Sequence, residues 1–223
     1  MVDLAGEAQD SVEVEVGQES AKRALDVTIS LLAIIGFGPL LILLCCLVLW
    51  TSPGPALFRQ ERLARDRQPF TMLKLRTMCV DNDDQIHREY VASLLSDAQP
   101  QAAERSGLFK LDNDPRVTRL GSWLRRTSLD ELPQLFNVLR GEMSLVGPRP
   151  VLPWEAEMFR DPDGQRFEVK PGITGLWQIR GRSKLSMREA LELDLEYVRT
   201  RSFMLDIVIL ASTLPALFRG GAT

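Results

Sequence analysis

Hydrophobic and polar positions are distributed unevenly along this chain. Residues 27–50 read VTISLLAIIGFGPLLILLCCLVLW, twenty-four positions without a charge. About 20 apolar residues cross the hydrocarbon core of a bilayer, so this run is expected to enter a membrane. It lies behind an acidic N-terminus, exceeds the apolar core of a signal peptide and is followed by no small-residue cleavage site, which argues against a leader. Beyond it, Ser52-Pro53-Gly54-Pro55 is a rigid turn. ALF at 56–58 and PFTMLKL at 69–75 then read as two strands of a small hairpin. Residues 81–106 read as a polar helix and a loop around Pro100. In DPRVTRLGSWLRRTS, Val117, Leu120 and Leu124 recur at helical spacing and belong in a core. Residues 160–183 are turn-rich, with Trp177 expected in the core. SMREALELDLEYVRTRS places Met187, Ala190, Leu191, Leu195 and Val198 on one face of an amphipathic helix. The final apolar segment, FMLDIVILASTLPALF, contains Asp206 and Pro215 and is too short to span. It suits a helix lying in the interface or packed on the membrane segment.

These elements predict a mainly α fold with a small β element (α+β). Residues 1–20 are expected to form an acidic disordered tail, 21–51 a membrane segment, 52–202 a compact cytoplasmic domain with amphipathic helices, and 203–223 a C-terminal interfacial helix and tail. Within the membrane run, Gly36-Phe37-Gly38-Pro39 predicts a kink or a break, because Pro removes a helix hydrogen bond and crowds the preceding turn. Two arrangements follow: a spanning helix with a bend, or a re-entrant helix-break-helix with both ends on one side. Lys22 and Arg23 precede the run, and Arg59, Arg62, Arg65 and Arg67 follow it. Basic flanks mark the cytoplasmic side, so two of them favour the re-entrant form. Asp26 is expected to pair with a basic flank residue at the interface.

Charge sharpens the division. Residues 1–20 hold six acids and no base, so the remainder carries a net charge of +3 against −3 for the whole chain. Such a tail is expected to be solvated. The three cysteines, Cys45, Cys46 and Cys79, match neither a disulfide framework nor a metal spacing. The single histidine, His87, is expected on the surface of the 81–106 helix.

The chemistry concentrates in RRTSLDELPQLFNVLRGEMSLVGPRP, residues 125–150. Ser128 and Glu131 have the spacing of a capping box. Pro133 complicates that reading, since a helix starting at Ser128 would need its missing N–H; the helix starts later or bends. Asp130 and Glu131 also suit chemistry. A carboxylate can attack phosphorus, two acids beside a diphosphate suit Mg²⁺, and arginine grips phosphate oxygens in pairs. Arg116, Arg119, Arg125 and Arg126 surround the acids in sequence. Lys74 and Arg76 alternate with Leu73 and Leu75, as either a solvated strand face or a phosphate-binding surface. No Walker A loop, GxGxxG, HExxH or Ser-His pair is present. Phosphoryl-type transfer is the class left standing.

From Lys22 to Arg219 the chain resembles the bacterial sugar transferases, monotopic polyprenyl-phosphate hexose-1-phosphate transferases. The blocks that carry the resemblance are KRALDVTISLL, SPGPALFRQERL, PFTMLKLRTM, DPRVTRLGSWLRRTSLDELPQLFNVLRGEMSLVGPRP and KPGITGLWQIRGRS. The resemblance implies transfer of a sugar-1-phosphate from a UDP-sugar to polyprenyl (undecaprenyl) phosphate, with release of UMP. It implies Asp130 as nucleophile and Glu131 near the metal or the acceptor, with both acids as Mg²⁺ ligands. Arg125 and Arg149 would grip phosphate or uridine, and a re-entrant helix would break at Pro39. Family members commonly carry Ser before that proline; Gly38 stands there here. GLWQIRGRS and LDLEYVR look like members that use glucose or galactose. The implied setting is the cytoplasmic face of the bacterial inner membrane, with membrane lipid as a partner. Nucleic acid is not expected as a partner, and a homodimer is compatible with the sequence. Two other classes compete: a basic membrane adaptor that binds anionic lipid, and a phosphatase-like enzyme whose intermediate is resolved by water.

Overall fold

The computed structural model describes residues 4–79, 116–159, 163–181 and 185–218, with side chains described from Gly17 to Thr213. The polar helix expected at 81–106 and His87 lie outside the described residues.

Helix α1 runs from Leu4 to Thr51. It includes most of the segment read as a disordered tail, because no proline interrupts residues 4–38 and successive turns propagate from the nucleated helix. The break expected at Gly38-Pro39 is likewise absent as an interruption, and Pro39 lies inside the one helix. A proline forfeits one hydrogen bond there, which the helical turns packed on both sides absorb. Gly17–Thr51 is long and apolar enough to cross a membrane, and only 11% of its most apolar window is buried. That share excludes the core helix of a water-soluble domain.

The helix has two distinct faces. Leu31, Ile35, Ile42 and Leu49 are exposed at four- and seven-residue spacing, flanked by Leu32, Leu43 and Trp50. The opposite face packs on the rest of the chain in two stretches. Ile29, Ala33 and Ile34 join the main core around Val138, Val146 and Tyr197. Further along, Leu44 and Val48 are buried with Leu75 and Leu124 in a second cluster.

The expected hairpin forms. Strand β1 (Leu57–Leu63) pairs antiparallel with β2 (Pro69–Leu75), Leu57 opposite Leu75. Helices α2 (Arg119–Thr127) and α3 (Gln134–Arg140) follow. Then comes a parallel pair not read from sequence, β3 (Ser144–Val146) beside β4 (Gly172–Thr174). A Cβ on Gly172 would stand 2.1 Å from the Gly147 nitrogen, and one on Gly147 would stand 2.4 Å from the Lys170 oxygen. Both glycines are therefore required for these backbones to meet. Short helices α4 (Pro153–Glu157) and α5 (Leu176–Arg180) flank β4, and α6 (Met187–Thr200) and α7 (Phe203–Phe218) complete the described chain. The predicted apolar face of α6 is buried as expected, together with Asp194 and Tyr197. On α7, Met204 and Val208 are exposed beside the inward-facing Ile209.

Polar groups fix the start of the membrane run to the domain. Lys22 Nζ donates to Asp206 Oδ2 at 2.5 Å and to the Val146 carbonyl at 3.1 Å. Tyr197 donates to Asp206 Oδ1 at 2.8 Å. Arg23 donates to the Val138 and Leu139 carbonyls at 2.6 and 2.8 Å, satisfying the open C-terminal end of α3. Asp26 does not pair with a basic flank residue. Buried to 3% exposure, its Oδ1 accepts from Ser144 Oγ at 3.1 Å and from the Leu145 N–H at 3.0 Å. The chain fold brings β3 to Asp26 and satisfies it before any arginine reaches it.

Breaking one half of a buried ion pair costs about 3–5 kcal/mol. Asp206→Ala should therefore lower the thermal midpoint in detergent by on the order of 10 °C. Asp206→Asn, which keeps one acceptor oxygen in place of two and so serves Lys22 or Tyr197 but not both, should lose less than Asp206→Ala. Equal melting of both variants and the wild type would remove the anchoring role.

Candidate active site

The segment around the two acids folds differently from the capping-box expectation. Helix α2 is capped at its start by Thr118, whose hydroxyl accepts from the Gly121 N–H at 2.9 Å. It ends at Ser128, which adopts the left-handed conformation with φ 56°. A residue in that conformation closes a helix rather than opening one, and the Ser128 side chain makes no cap bond. The chain then makes a tight 3₁₀ turn over Leu129–Glu131 before α3 starts at Gln134. Pro133 sits just before that first residue, where its missing N–H is not needed. The later helix start is the solution found.

The turn presents its two acids unequally. Asp130 is buried at 4% exposure, while Glu131 keeps solvent access. Glu131 Oε1 accepts from Lys74 Nζ at 3.1 Å, with both side chains about a quarter exposed. Lys74 thus belongs to the dyad, across from it on β2. The register of that meeting is set by Asn137, which is fully buried on α3. Its Oδ1 accepts from the Leu73 N–H at 3.0 Å, and its Nδ2 donates to the Thr71 carbonyl at 2.7 Å. The side-chain amide behaves as one residue of a neighbouring strand, holding β2 against α3.

The other predicted residues divide. Arg125 lies on the last turn of α2 and donates from Nε to Thr77 Oγ1 at 2.9 Å, three residues beyond Lys74. Arg149 lies within electrostatic reach of Glu131, which favours its charged form. The structure thus gathers Asp130, Glu131, Lys74 and Arg149, with Arg125 at the edge of β2. Arg76 is separated from them. It is buried at 6% exposure, and its guanidinium donates to the carbonyls of Ser52 (2.7 Å) and Pro53. It closes the end of the membrane helix instead of facing a phosphate. The alternation Lys74-Leu75-Arg76 puts both cations on one strand face, but a turn's carbonyls take the second. Gly38 and Pro39 stand in the middle of α1, remote in sequence from the acids.

Around Arg149 lies a charged cluster that sequence reasoning missed. Arg62 Nη1 reaches Glu155 Oε2 at 3.4 Å and the Pro150 carbonyl at 3.2 Å. Arg166 Nη2 donates to Asp194 Oδ2 and to the Arg149 carbonyl, both at 2.7 Å. Glu155 Oε2 also accepts from the Leu152 N–H at 2.7 Å. Burial pushes the Arg62 guanidinium down to about 9, with Arg149 adding to the shift and Glu155 opposing it. Arg149 is also lowered, by burial first, with Glu155 opposing and Arg166 reinforcing. Burial pushes the Asp194 carboxyl up to about 6 against the pull of Arg166. One of these residues left a readable signal: Asp194 occupies an inward position of α6, where the pattern calls for an apolar side chain. Arg166 and Glu155 sit in segments too short or too irregular for any period.

The cluster borders a cleft lined by Arg149, Glu155, Arg166, Phe159, Trp177 and Met187. Trp177 is half-buried there, packed against the Met187–Ala190–Leu191 cluster on one side and lining the cleft on the other.

A family model described as bacterial sugar transferase matches residues 17–220. The chain belongs to the bacterial sugar transferase family. The transferase is 42% identical over 198 residues to the exopolysaccharide production protein ExoY of Sinorhizobium fredii, covering 88% of this chain and 85% of that protein. It is 40% identical over 210 residues to a UDP-glucose:undecaprenyl-phosphate glucose-1-phosphate transferase of Caulobacter vibrioides, covering 91% of this chain and 71% of that one. To an undecaprenyl-phosphate galactose phosphotransferase of Salmonella typhimurium it is 39% identical, covering 89% of this chain and 40% of the longer relative.

Among the described residues of the transferase, no group of three or more His, Cys, Asp or Glu is placed to hold a metal unaided. A Mg²⁺ ion in its usual mode would take one or two carboxylates from the protein and its other oxygens from water and substrate phosphates; Asp130 and Glu131 are the acids that would hold it, and Glu131 is already paired with Lys74. Removing Asn137 should loosen the site that these residues form. Asn137→Ala leaves two buried backbone groups without partners, and about 2–4 kcal/mol of stability should be lost. Thermal unfolding reads this loss, and a shift equivalent to less than about 1 kcal/mol would show that Asn137 is not the tie between β2 and α3.

Proposed function

We propose that the transferase moves a hexose-1-phosphate, glucose or galactose, from a UDP-sugar to polyprenyl phosphate. This step would initiate a surface polysaccharide or glycoconjugate at the cytoplasmic face of the bacterial inner membrane. The observation that carries the reading is one buried carboxylate, Asp130, beside a Lys74–Glu131 pair and Arg149, in a domain docked along an apolar helix. The printed activities of the Caulobacter and Salmonella relatives support the donor and the acceptor.

In the first half-reaction a carboxylate oxygen of Asp130 attacks the sugar-bearing phosphorus. The bond from that phosphorus to the bridging oxygen breaks, and UMP leaves with the electron pair. In the second, a phosphate oxygen of the polyprenyl phosphate attacks the same phosphorus and returns Asp130 as a carboxylate. Lys74 balances the charge of Glu131 beside the nucleophile, and Arg149 and Arg125 hold donor phosphate oxygens. Mg²⁺ held by Asp130 and Glu131 would neutralise charge developing on the diphosphate. A covalent intermediate lets a soluble donor and a lipid-bound acceptor use one small site in turn.

The docking of α1 supports a monotopic arrangement. Lys22 and Val48 both meet the catalytic domain, yet they are about 39 Å apart along a helix rising 1.5 Å per residue. A helix crossing the bilayer at right angles would carry one contact set away from a domain on a single side. This spacing supports the reading that both ends of the apolar run lie at one membrane face, with the Leu31–Ile35–Ile42–Leu49 stripe toward lipid.

Asp130→Asn should reduce UMP release from UDP-glucose or UDP-galactose by at least ~10³-fold, the scale of losing a nucleophile. Near-normal release in that variant would exclude Asp130 as the nucleophile. Exhaustive chelation should abolish turnover and added Mg²⁺ restore it; undiminished turnover would remove the metal. In a background lacking Cys45, Cys46 and Cys79, a cysteine placed at position 3 should resist a periplasm-only thiol reagent in intact cells. Labelling there would establish a spanning helix.

A further inference from the structure

We propose that Arg62, Glu155, Arg166 and Asp194 are positioning residues that hold the Pro148-Arg149-Pro150 turn so that Arg149 faces the donor diphosphate. This inference rests on the transfer reading above. Each of the four residues is at most 6% exposed. They come from four separate parts of the fold: β1, α4, the 3₁₀ segment Asp163–Glu168 and α6. Three of them bond to backbone groups between Arg149 and Leu152, and Asp194 holds Arg166. Arg166 holds the Arg149 carbonyl, Arg62 the Pro150 carbonyl and Glu155 the Leu152 N–H. Two prolines fix φ on either side of Arg149, so a turn gripped at these points has little freedom left.

Stability alone does not account for the arrangement. Two buried ion pairs carry desolvation penalties that well-packed apolar side chains of similar volume would avoid. Their contribution is geometric. Each arginine spends part of its fork on a carboxylate and part on the turn, so the carboxylate aims the arginine and the arginine aims the turn. The charge count points the same way. Arg62, Arg149 and Arg166 oppose Glu155 and Asp194, leaving one positive charge in excess. Arg149 is the member that also feels Glu131. The surplus charge is thus delivered next to the dyad, where an anionic diphosphate completes the balance.

The test replaces a pair by apolar residues and separates fold from function. Arg166→Met with Asp194→Leu should melt within a few degrees of wild type. Its KM for UDP-glucose or UDP-galactose should rise at least tenfold, with kcat and the KM for polyprenyl phosphate little changed, as expected for lost uniform binding. Arg166→Gln with Asp194→Asn, which keeps polar groups and removes both charges, should behave the same way. On an Arg149→Ala background neither pair substitution should weaken the donor further, because the network acts through Arg149. A folded double variant with donor KM within twofold of wild type would overturn the proposal, as would full additivity with Arg149→Ala. Loss of the folded state in both double variants would assign the pair to stability instead. Calorimetric binding of UDP-glucose and UDP-galactose runs beside turnover. Wild-type protein that binds a donor but releases no UMP would sink the transfer reading, while a tenfold loss of binding in the variants would still uphold the positioning role.

Discussion

Lys22 is the point on which the architecture turns. One ammonium at the start of an apolar helix is bonded to α7 through Asp206 and to β3 through the Val146 carbonyl. Tyr197 of α6 closes the set, its hydroxyl proton held on Asp206. Burial and the neighbouring carboxylate raise that hydroxyl well above the ordinary tyrosine range, so it stays a donor. Cation, carboxylate and phenol satisfy one another in a place that water reaches poorly, and removing any one strands the others. Arg23 and Asp26, one and four residues on, repeat the device against α3 and β3. A long helix with an exposed apolar face is thereby fastened to the rest of the domain by its polar inner edge.

The site inherits its geometry from that docking. Helix α3 is held at its end by Arg23 and along its side by the main core, and it carries Asn137 against β2. Asn137 fixes β2, and β2 delivers Lys74 to Glu131. The 3₁₀ turn between α2 and α3 is short because Ser128 stops one helix and Pro133 opens the next, and this compression buries Asp130 while Glu131 stays accessible. On the far side, β3 leads directly into the Pro-Arg-Pro turn. One rigid path thus runs from the membrane helix to both halves of the site.

Several features were legible in the sequence because they depend on local pattern. The apolar run, the hairpin, the inward face of α6 and the late start of α3 after Pro133 all follow from period, turn residues or a missing N–H. The association of Asp130 and Glu131 with phosphoryl chemistry came from residue type and from family resemblance. The capping box failed because spacing alone cannot distinguish a serine that opens a helix from one that ends the helix before it. Arg76 shows a related limit: alternation gives the face of a strand, not the carbonyls that a distant turn brings to it.

The sequence by itself determined which segments are apolar, where the amphipathic helix over Met187–Thr200 lies and which side chains can do phosphoryl chemistry, since those properties belong to a residue and its near neighbours. Tertiary structure decided the partners. Asp206, Asp194, Glu155 and Asn137 are polar groups at buried positions, and their place follows only from what lies opposite: Lys22, Arg166, Arg62 and the backbone of β2. Those pairings cross 28 to 184 residues of chain. They form because a buried charge or amide requires a complement wherever the fold provides one, and no window of sequence contains that information.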